Sequence, residues 1–144
     1  MTKEKVQELF QQYQDFFRNA IMGEVDIEQG ASFYATAIIG AAPAGVMASQ
    51  NDDQFKLFLR RGFEAYREMG TKDIHIRGID ITAIDELHCL ARVSWTAVYD
   101  RGDNPNTSID FDVHYLVQQL QETPKIFGWV SGDEQAVLKE HGII

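Results

Sequence analysis

The chain has 144 residues, of which 44% are hydrophobic, 11% aromatic and 24% charged, and this length is typical of one domain whose core can contain a pocket. Thirteen basic residues against twenty-two acidic ones give a net charge of −9. A field of that sign repels nucleic-acid phosphates and anionic lipid surfaces. We therefore expect neither nucleic acid nor a membrane as a partner.

The cysteine content and the first residues indicate a compartment. The single Cys89 cannot form an internal disulfide. Residues 1–20 lack the basic start and the following apolar block that a secretory signal requires. Together these features predict a cytoplasmic protein.

The first third of the chain is predicted to be helical and then extended. Apolar residues recur at spacings of three and four from about residue 3 to 21, which indicates an amphipathic helix closed near Gly23. A shorter helical turn is expected over 26–32. Residues 33–49 are apolar but interrupted by Gly40, Pro43 and Gly45, which suits two short extended pieces joined by a turn.

A second long helix is predicted to begin at the acidic sequence that follows Asn51. Acidic side chains there can accept hydrogen bonds from free amides and favour the positive end of the helix dipole. The helix should end at Gly70. Its predicted buried stripe comprises Phe55, Phe58, Leu59, Phe63, Tyr66 and Met69.

After Gly70 the hydrophobic period changes from 3.6 to 2, which predicts strands over 72–84, 87–100 and 107–120, with a final strand over 125–130. Ser131 and Glu134 have the spacing of a capping box, which predicts a last helix over 133–141. No internal repeat or linker divides residues 1–144, so we expect one domain. The order of elements predicts an α+β fold with helices packed on one face of a curved antiparallel sheet.

The strand "SIDFDVHYLVQQ" has one apolar face, formed by residues 109, 111, 113, 115 and 117, and one mixed face. Since the apolar face must meet the helices, Asp112 and His114 should point away from them. A one-residue bulge would instead turn both inward. We expect Arg92 to pair across strands with Asp110 or Asp112. The outer surface, which suits a symmetric dimer contact, is predicted to comprise Arg92, Ser94, Asp110, Asp112 and His114.

The segments "LFQQYQDFF", "IIGAAPAG" and "PKIFGWVSGDEQAVL", in this order around a long meander, resemble the nuclear transport factor 2-like superfamily, with its polyketide cyclase-like and steroid isomerase-like members. The resemblance covers nearly the whole chain. It implies a cone-shaped α+β domain whose helices close an apolar pocket over the concave sheet. It also implies a homodimer formed through the outer face of the sheet.

Only some of the catalytic residues of the isomerases have a matching residue in this sequence. Tyr13 matches their helix 1 tyrosine, but Ala42 stands where one carboxylate would precede the proline, and Val113 stands where a second acid would face the pocket. Both acids are needed to move a proton in a dry site, so steroid-type isomerisation is not expected. Epoxide-opening relatives use an Asp, Arg, Asp set, whereas Arg101-Gly102-Asp103 is predicted to be a hairpin turn.

The resemblance predicts a pocket, and buried aromatic residues with a polar atom are suited to line it. The alternative is that these side chains simply fill the core. The predicted pocket residues are Tyr13, Phe17, Tyr34, Trp95, Val113, Tyr115, Phe127 and Trp129.

The sequence gives little support for a metal site or for a nucleophilic residue. His88 and Cys89 are adjacent on a strand and should point to opposite faces, so they cannot hold one ion together. His75 is interpreted as a partly exposed strand histidine; the alternative is that it pairs with Asp80 or Arg77 around a bulge at Gly78. We expect no metal and no cofactor.

Three functions remain open. The first is a homodimer whose pocket binds an unidentified small organic molecule. The second is a cofactor-independent lyase, isomerase or cyclase acting on a polyketide-like or hydroxylated ring compound, with Tyr13 or Tyr34 polarising an oxygen and Asp112 or His114, if inward, handling the proton. The third is a protein-protein interaction module with a vestigial cavity.

Overall fold

A computed structural model describes residues 1–101 and 104–144 of the chain. Its elements lie close to the predicted positions. In chain order they are α1 (Lys3–Ile21), α2 (Ile27–Ser32), β1 (Tyr34–Ala42), β2 (Gly45–Gln50), α3 (Asp53–Glu68), β3 (Thr71–Ala83), β4 (His88–Arg101), β5 (Asn104–Gln118), β6 (Lys125–Ser131) and α4 (Glu134–Glu140).

The strands form one sheet in the order β2-β1-β6-β5-β4-β3. The segment β3 to β6 is an antiparallel meander, and β1 and β2 form an antiparallel hairpin. The two parts join through β1 and β6, which run parallel. The sheet is therefore mixed, and the prediction of an antiparallel sheet was wrong at this pairing, because periodicity identifies strands but not their neighbours.

Short polar side chains start the helices. The side chain of Asp52 accepts a hydrogen bond from the backbone N–H of Phe55 at 3.0 Å and so begins α3, and Asp26 does the same for α2. At α4 the cap is Asp133, which accepts from the N–H of Ala136 at 3.0 Å. The predicted capping box at Ser131 was wrong, because Ser131 still belongs to β6 and Asp133 satisfies the free amides instead.

The core lies between α1, α3 and the concave face of the sheet. Phe10, Phe55, Ile74, Trp95 and Ile126 have no more than 1% of their surface exposed, and they form its centre. Burial alternates along β4 and β5 with a period of two, so that residues 109, 113, 115 and 117 are buried while Asp110 and Asp112 are exposed.

The stripe predicted for α3 is only partly buried. Phe55 and Phe63 are buried, whereas Phe58 keeps 48% of its surface exposed. The difference arises because one side of the stripe faces the open end of a cavity rather than closed core.

Two of the register shifts in the sheet affect residues predicted to form the site or the outer surface. Arg77 is an extra residue in β3, where the register with β4 shifts between Ile76 and Gly78. Phe127 is an extra residue in β6, where the register with β5 shifts between Leu116 and Val117. Beyond such a bulge, side chains point to the opposite face of the sheet from the one that strict alternation predicts. The predicted hairpin turn at Arg101-Gly102-Asp103 lies partly outside the described residues.

Candidate functional site

A cavity of about 220 Å³ opens between α3, α1 and the concave face of the sheet. Its wall is largely aromatic and aliphatic, with a few hydroxyls and one carboxyl group. It is lined by Tyr13, Phe17, Tyr34, Phe58, Leu59, Gly62, Phe63, Tyr66, Ile74, Trp95, Phe111, Val113, Tyr115, Trp129, Ser131 and Glu134.

Seven of the eight predicted pocket residues are in this lining. They are Tyr13, Phe17, Tyr34, Trp95, Val113, Tyr115 and Trp129. Phe127 is not in the described lining. Its ring lies 6.2 Å from that of His88, which follows from the bulge at residue 127: Ile126 and Trp129 both take the inner face, and Phe127 is displaced from it.

Three tyrosine hydroxyl groups meet at the deep end of the cavity. The Tyr13 and Tyr34 oxygens lie 2.6 Å apart, and the Nε1–H of Trp95 donates to the Tyr115 hydroxyl at 3.3 Å. Tyr13 also exchanges a hydrogen bond with Tyr115. Burial raises the pKa of Tyr13, and it raises the pKa values of Tyr34 and Tyr115 well above 10. These hydroxyls therefore keep their protons at neutral pH and act as hydrogen-bond donors.

The cavity opens where α3 faces the start of α4. Phe58 and Gly62 of α3 are exposed there, and Tyr66 lies half-buried one turn further along the helix. Glu134, the first residue of α4, is on the opposite side of this opening. We call the opening formed by Phe58, Gly62, Tyr66 and Glu134 the cavity mouth.

Glu134 was missed by the sequence analysis, which assigned its side chain to a capping box. Glu134 is an exposed residue, yet the protein atoms packed beside its carboxyl group raise the pKa of that group by desolvation. A hydrogen bond with Tyr66 acts in the opposite direction. The available sequence signal was Asp133, which is an equally good cap and leaves Glu134 free.

Asp112 and His114 lie on the convex face, away from the cavity. Arg77 approaches both neighbouring aspartates, with its Nε 3.5 Å from Asp110 Oδ1 and its Nη2 3.8 Å from Asp112 Oδ1. The prediction that Arg92 pairs with one of these aspartates was wrong. Arg92 lies 3.8 Å from Asp80, because the strand register places it opposite Asp80 on β3 and opposite His114, rather than an aspartate, on β5.

The remaining predicted polar residues lie apart from the cavity. His75 contacts Asp73 at 3.5 Å rather than Asp80 or Arg77, since residues 73 and 75 share a face of the strand. His88 Nδ1 donates to Asp85 at 2.7 Å, while its Nε2 accepts from the Gln118 amide at 3.0 Å.

Cys89 is buried, and desolvation raises the pKa of its thiol. Across residues 1–101 and 104–144, no group of three or more His, Cys, Asp or Glu side chains is placed to hold a metal ion. Within the same ranges, no helix is both long and apolar enough to cross a bilayer.

These features define an α+β domain with N-terminal helices over a curved, open sheet and a cavity between them. A family model described as "NTF2-like protein (DUF6841)" matches residues 3–134. The chain therefore belongs to this NTF2-like family. A search of curated proteins found none of significantly similar sequence.

Solved structures agree on the fold. An NTF-2 like protein of unknown function from Shewanella oneidensis MR-1 has a TM-score of 0.66 at 12% identity, over 92% of this chain and 100% of that one. The beta subunit of the benzoate 1,2-dioxygenase from Burkholderia mallei has a TM-score of 0.68 at 11% identity, over 96% and 94%. A putative calcium/calmodulin dependent protein kinase II association domain from Xanthomonas campestris has a TM-score of 0.65 at 10% identity, over 92% and 87%. Identities this low establish the fold alone.

Proposed function

We propose that the protein binds a small, mostly apolar organic molecule in the cavity, with an oxygen of that molecule accepting a hydrogen bond from the tyrosine cluster. The observation that carries the proposal is the set of buried hydroxyls of Tyr13, Tyr34 and Tyr115 beside an apolar cavity that reaches solvent. Few polar groups in a mostly apolar wall are typical of a small-molecule site.

The cavity volume limits the size of the ligand. At about 220 Å³ it is larger than the roughly 150 Å³ that accommodates benzene in an apolar protein cavity. It is smaller than the roughly 300–1,000 Å³ that is usual for drug-sized ligands. A compound with one or two small rings fits this range.

The geometry favours binding over the alternative of a cofactor-independent lyase, isomerase or cyclase. His114 and Asp112 point to the convex face, so neither reaches a molecule in the cavity. Tyr13 and Tyr34 remain able to polarise an oxygen, but burial raises their pKa values, and protonated tyrosines do not serve as bases near neutral pH.

The interaction-module alternative required a cavity filled by side chains. The open space between α3 and the sheet argues for a ligand instead. Recovery of a specific heterologous protein partner, together with no ligand binding, would favour the module.

We propose also that the protein is a cytoplasmic homodimer formed through the convex face. The single buried cysteine supports the compartment. Exposed Ile39 and Val130 lie on β1 and β6 beside the charged residues of β4 and β5, and such a mixture is common in protein interfaces. Sedimentation velocity should give twice the 16.4 kDa chain mass. A monomer at all concentrations would refute the dimer.

Ligand binding is tested by a fragment screen read by quenching of Trp95 and Trp129 fluorescence. Gly62→Leu should abolish the response, because the mouth has open space at position 62 into which the new side chain extends. Gly62→Ala is the matched control and should bind normally. Absence of any saturable fragment, or equal binding by Gly62→Leu, would refute the proposal.

A further inference from the structure

Glu134 is the sole charged side chain among the described residues that line the cavity. It also lines a smaller adjoining cleft of about 20 Å³, together with Tyr66, Tyr99 and Phe111. The carboxyl group thus stands where a molecule held in the cavity would present its outermost atoms. A charged side chain at the mouth favours ligands whose outermost polar group carries the opposite charge.

The carboxyl group has no cationic partner in the described part of the chain. The ion pairs found there use Arg18, Lys56, His75, Arg77, His88 and Arg92, and none includes Glu134. Its one identified hydrogen-bond partner is the neutral Tyr66 hydroxyl. A carboxylate in a partly dry site without a counter-ion is stabilised when a cation binds beside it.

The surroundings of Glu134 suit an ammonium group. Aromatic side chains of Phe58, Tyr66, Phe111 and Trp129 line the same cavity, and aromatic faces attract cations. A hydrogen bond from an ammonium group to a carboxylate is charge-assisted and about twice as strong as a neutral one. The net charge of −9 further favours cationic ligands over anionic ones.

We propose that the ligand is a small ring compound with a protonated amine, whose ring occupies the cavity while its ammonium group pairs with Glu134 at the mouth. The proposal rests on the proposed function and specifies its ligand class. Glu134 is then the residue that determines specificity, and the tyrosine cluster accommodates the far end of the molecule.

The pH dependence of this contact follows from the groups around Glu134. Those facing it from the packed elements are Tyr66 of α3, Tyr99 of β4, Tyr115 of β5 and Tyr13 of α1, and all are neutral near pH 7. On α4 itself, Asp133 caps the helix and Lys139 is exposed. Desolvation raises the pKa of Glu134, so amine affinity should rise with pH as this carboxyl group ionises.

A matched series tests the proposal by calorimetry on the full chain. The probes are tyramine, tyrosol and 4-hydroxyphenylacetate, which share a phenol ring whose oxygen can reach the tyrosine cluster and differ in the polar end. We expect the amine to bind about tenfold more tightly than the alcohol, since a charged hydrogen bond replaces a neutral one. The anionic 4-hydroxyphenylacetate should bind most weakly because its charge repels Glu134.

Glu134→Gln should remove the preference for the amine and leave the affinity for the alcohol within about twofold. Glu140→Gln makes the same change on an exposed part of α4 outside the cavity and should behave as wild type. An amine preference that survives in Glu134→Gln would overturn the proposal. So would equal affinities for amine and alcohol in the wild type, a result that needs no variant.

The two proposals fail in different ways. If the alcohol binds and Gly62→Leu blocks it, the cavity is a binding site, and loss of the amine preference refutes only the role of Glu134. If none of the three probes binds, the proposed function fails together with the ligand class.

Discussion

The hydroxyl oxygens of Tyr13 and Tyr34 lie 2.6 Å apart in the core, although one residue belongs to α1 and the other to β1. The two rings meet edge to face with centroids 6.1 Å apart. This contact joins the first helix to the sheet at the deep end of the cavity. Tyr13 has a second hydroxyl partner in Tyr115, whereas Tyr34 is joined to the cluster through Tyr13.

The two tyrosines should therefore respond differently to loss of the hydroxyl group. Tyr13→Phe leaves the Tyr34 hydroxyl without its partner and should lower the free energy of unfolding by about 1–3 kcal/mol. Tyr34→Phe leaves Tyr13 bonded to Tyr115 and should cost about 0.5–1.5 kcal/mol. Urea denaturation measures both values.

The double variant checks that the two hydroxyls interact. Its cost should differ from the sum of the single costs, because the residues share one hydrogen bond. Additive costs, or a larger loss in Tyr34→Phe than in Tyr13→Phe, would contradict this arrangement of the three hydroxyl groups.

Gly40 gives the Trp129 indole the space it occupies in the cavity wall. A methyl group at position 40 would lie 2.6 Å from Trp129 Cζ2, which is closer than van der Waals contact allows. Gly40→Ala should push the indole toward the cavity, reduce ligand affinity and cost about 1–3 kcal/mol by overpacking. Tryptophan fluorescence and thermal unfolding measure these effects.

Gly62→Ala is the matched control for Gly40→Ala. No atom lies within 4 Å of the added methyl group, and position 62 is inside α3. Alanine is the better helix former, so this variant should be more stable than wild type by up to about 1 kcal/mol. Destabilisation by Gly62→Ala, or tolerance of Gly40→Ala, would contradict the packing at these positions.

Much of the fold could be predicted because its signals are local. The spacing of apolar residues indicated α1 and α3, and the two-residue period of 109–117 separated Val113 and Tyr115 from Asp112 and His114. Aromatic residues with a polar atom, such as Tyr13 and Tyr34, were then assigned to the inner side. The family resemblance supplied the pocket itself.

The errors arose where tertiary structure overrides local pattern. Strict alternation placed Phe127 with Trp129, but the bulge in β6 separates them. The parallel pairing of β1 with β6 joins segments far apart in the chain, which periodicity does not reveal. The sequence is compatible with Glu134 either taking part in a capping box or lying outside the cap. Because Asp133 caps α4, the Glu134 side chain lies outside the cap.

The two aspartates on the convex face of β5 should differ in their contribution to stability. Asp110 accepts a hydrogen bond from the buried Thr96 hydroxyl at 2.7 Å, whereas Asp112 has a long, exposed contact with Arg77. Asp110→Ala should cost about 1 kcal/mol by leaving Thr96 unpaired. Asp112→Ala should cost less than about 0.5 kcal/mol, as is usual for surface ion pairs.

Both variants also test the placement of the convex face. Neither should change the affinity for a fragment bound in the cavity, measured by the same fluorescence titration. A large loss of binding in Asp112→Ala would show that this carboxylate reaches the ligand and would revive the enzyme alternative.

The carboxyl group of Glu134 should make stability depend on pH in a defined direction. Desolvation raises its pKa above the ordinary value of 4.5, so the folded chain holds this proton more tightly than the unfolded chain does. Between about 4.5 and the folded-state pKa, the folded chain binds more protons, and the contribution of Glu134 to the free energy of unfolding falls as pH rises. Above the folded-state pKa this contribution is constant.

The carboxyl group of Asp85 responds in the opposite sense. Hydrogen bonds from His88 and the Leu87 amide lower the pKa of Asp85. The contribution of Asp85 to the free energy of unfolding therefore rises as the pH increases through the range in which this carboxyl group ionises. The effect of Glu134 is therefore isolated as the difference in unfolding free energy between wild type and Glu134→Gln, measured by urea denaturation from pH 4 to 8.

As pH rises, the free energy of unfolding of the wild type should fall relative to that of Glu134→Gln, because only the wild type must keep an ionised carboxylate at the cavity mouth. Glu140→Gln, with the same change on an exposed site of the same helix, should not show this decline. If the wild type loses no stability relative to Glu134→Gln as pH rises, the carboxyl group is fully hydrated in the folded chain. The desolvated site required for amine selection would then be lost.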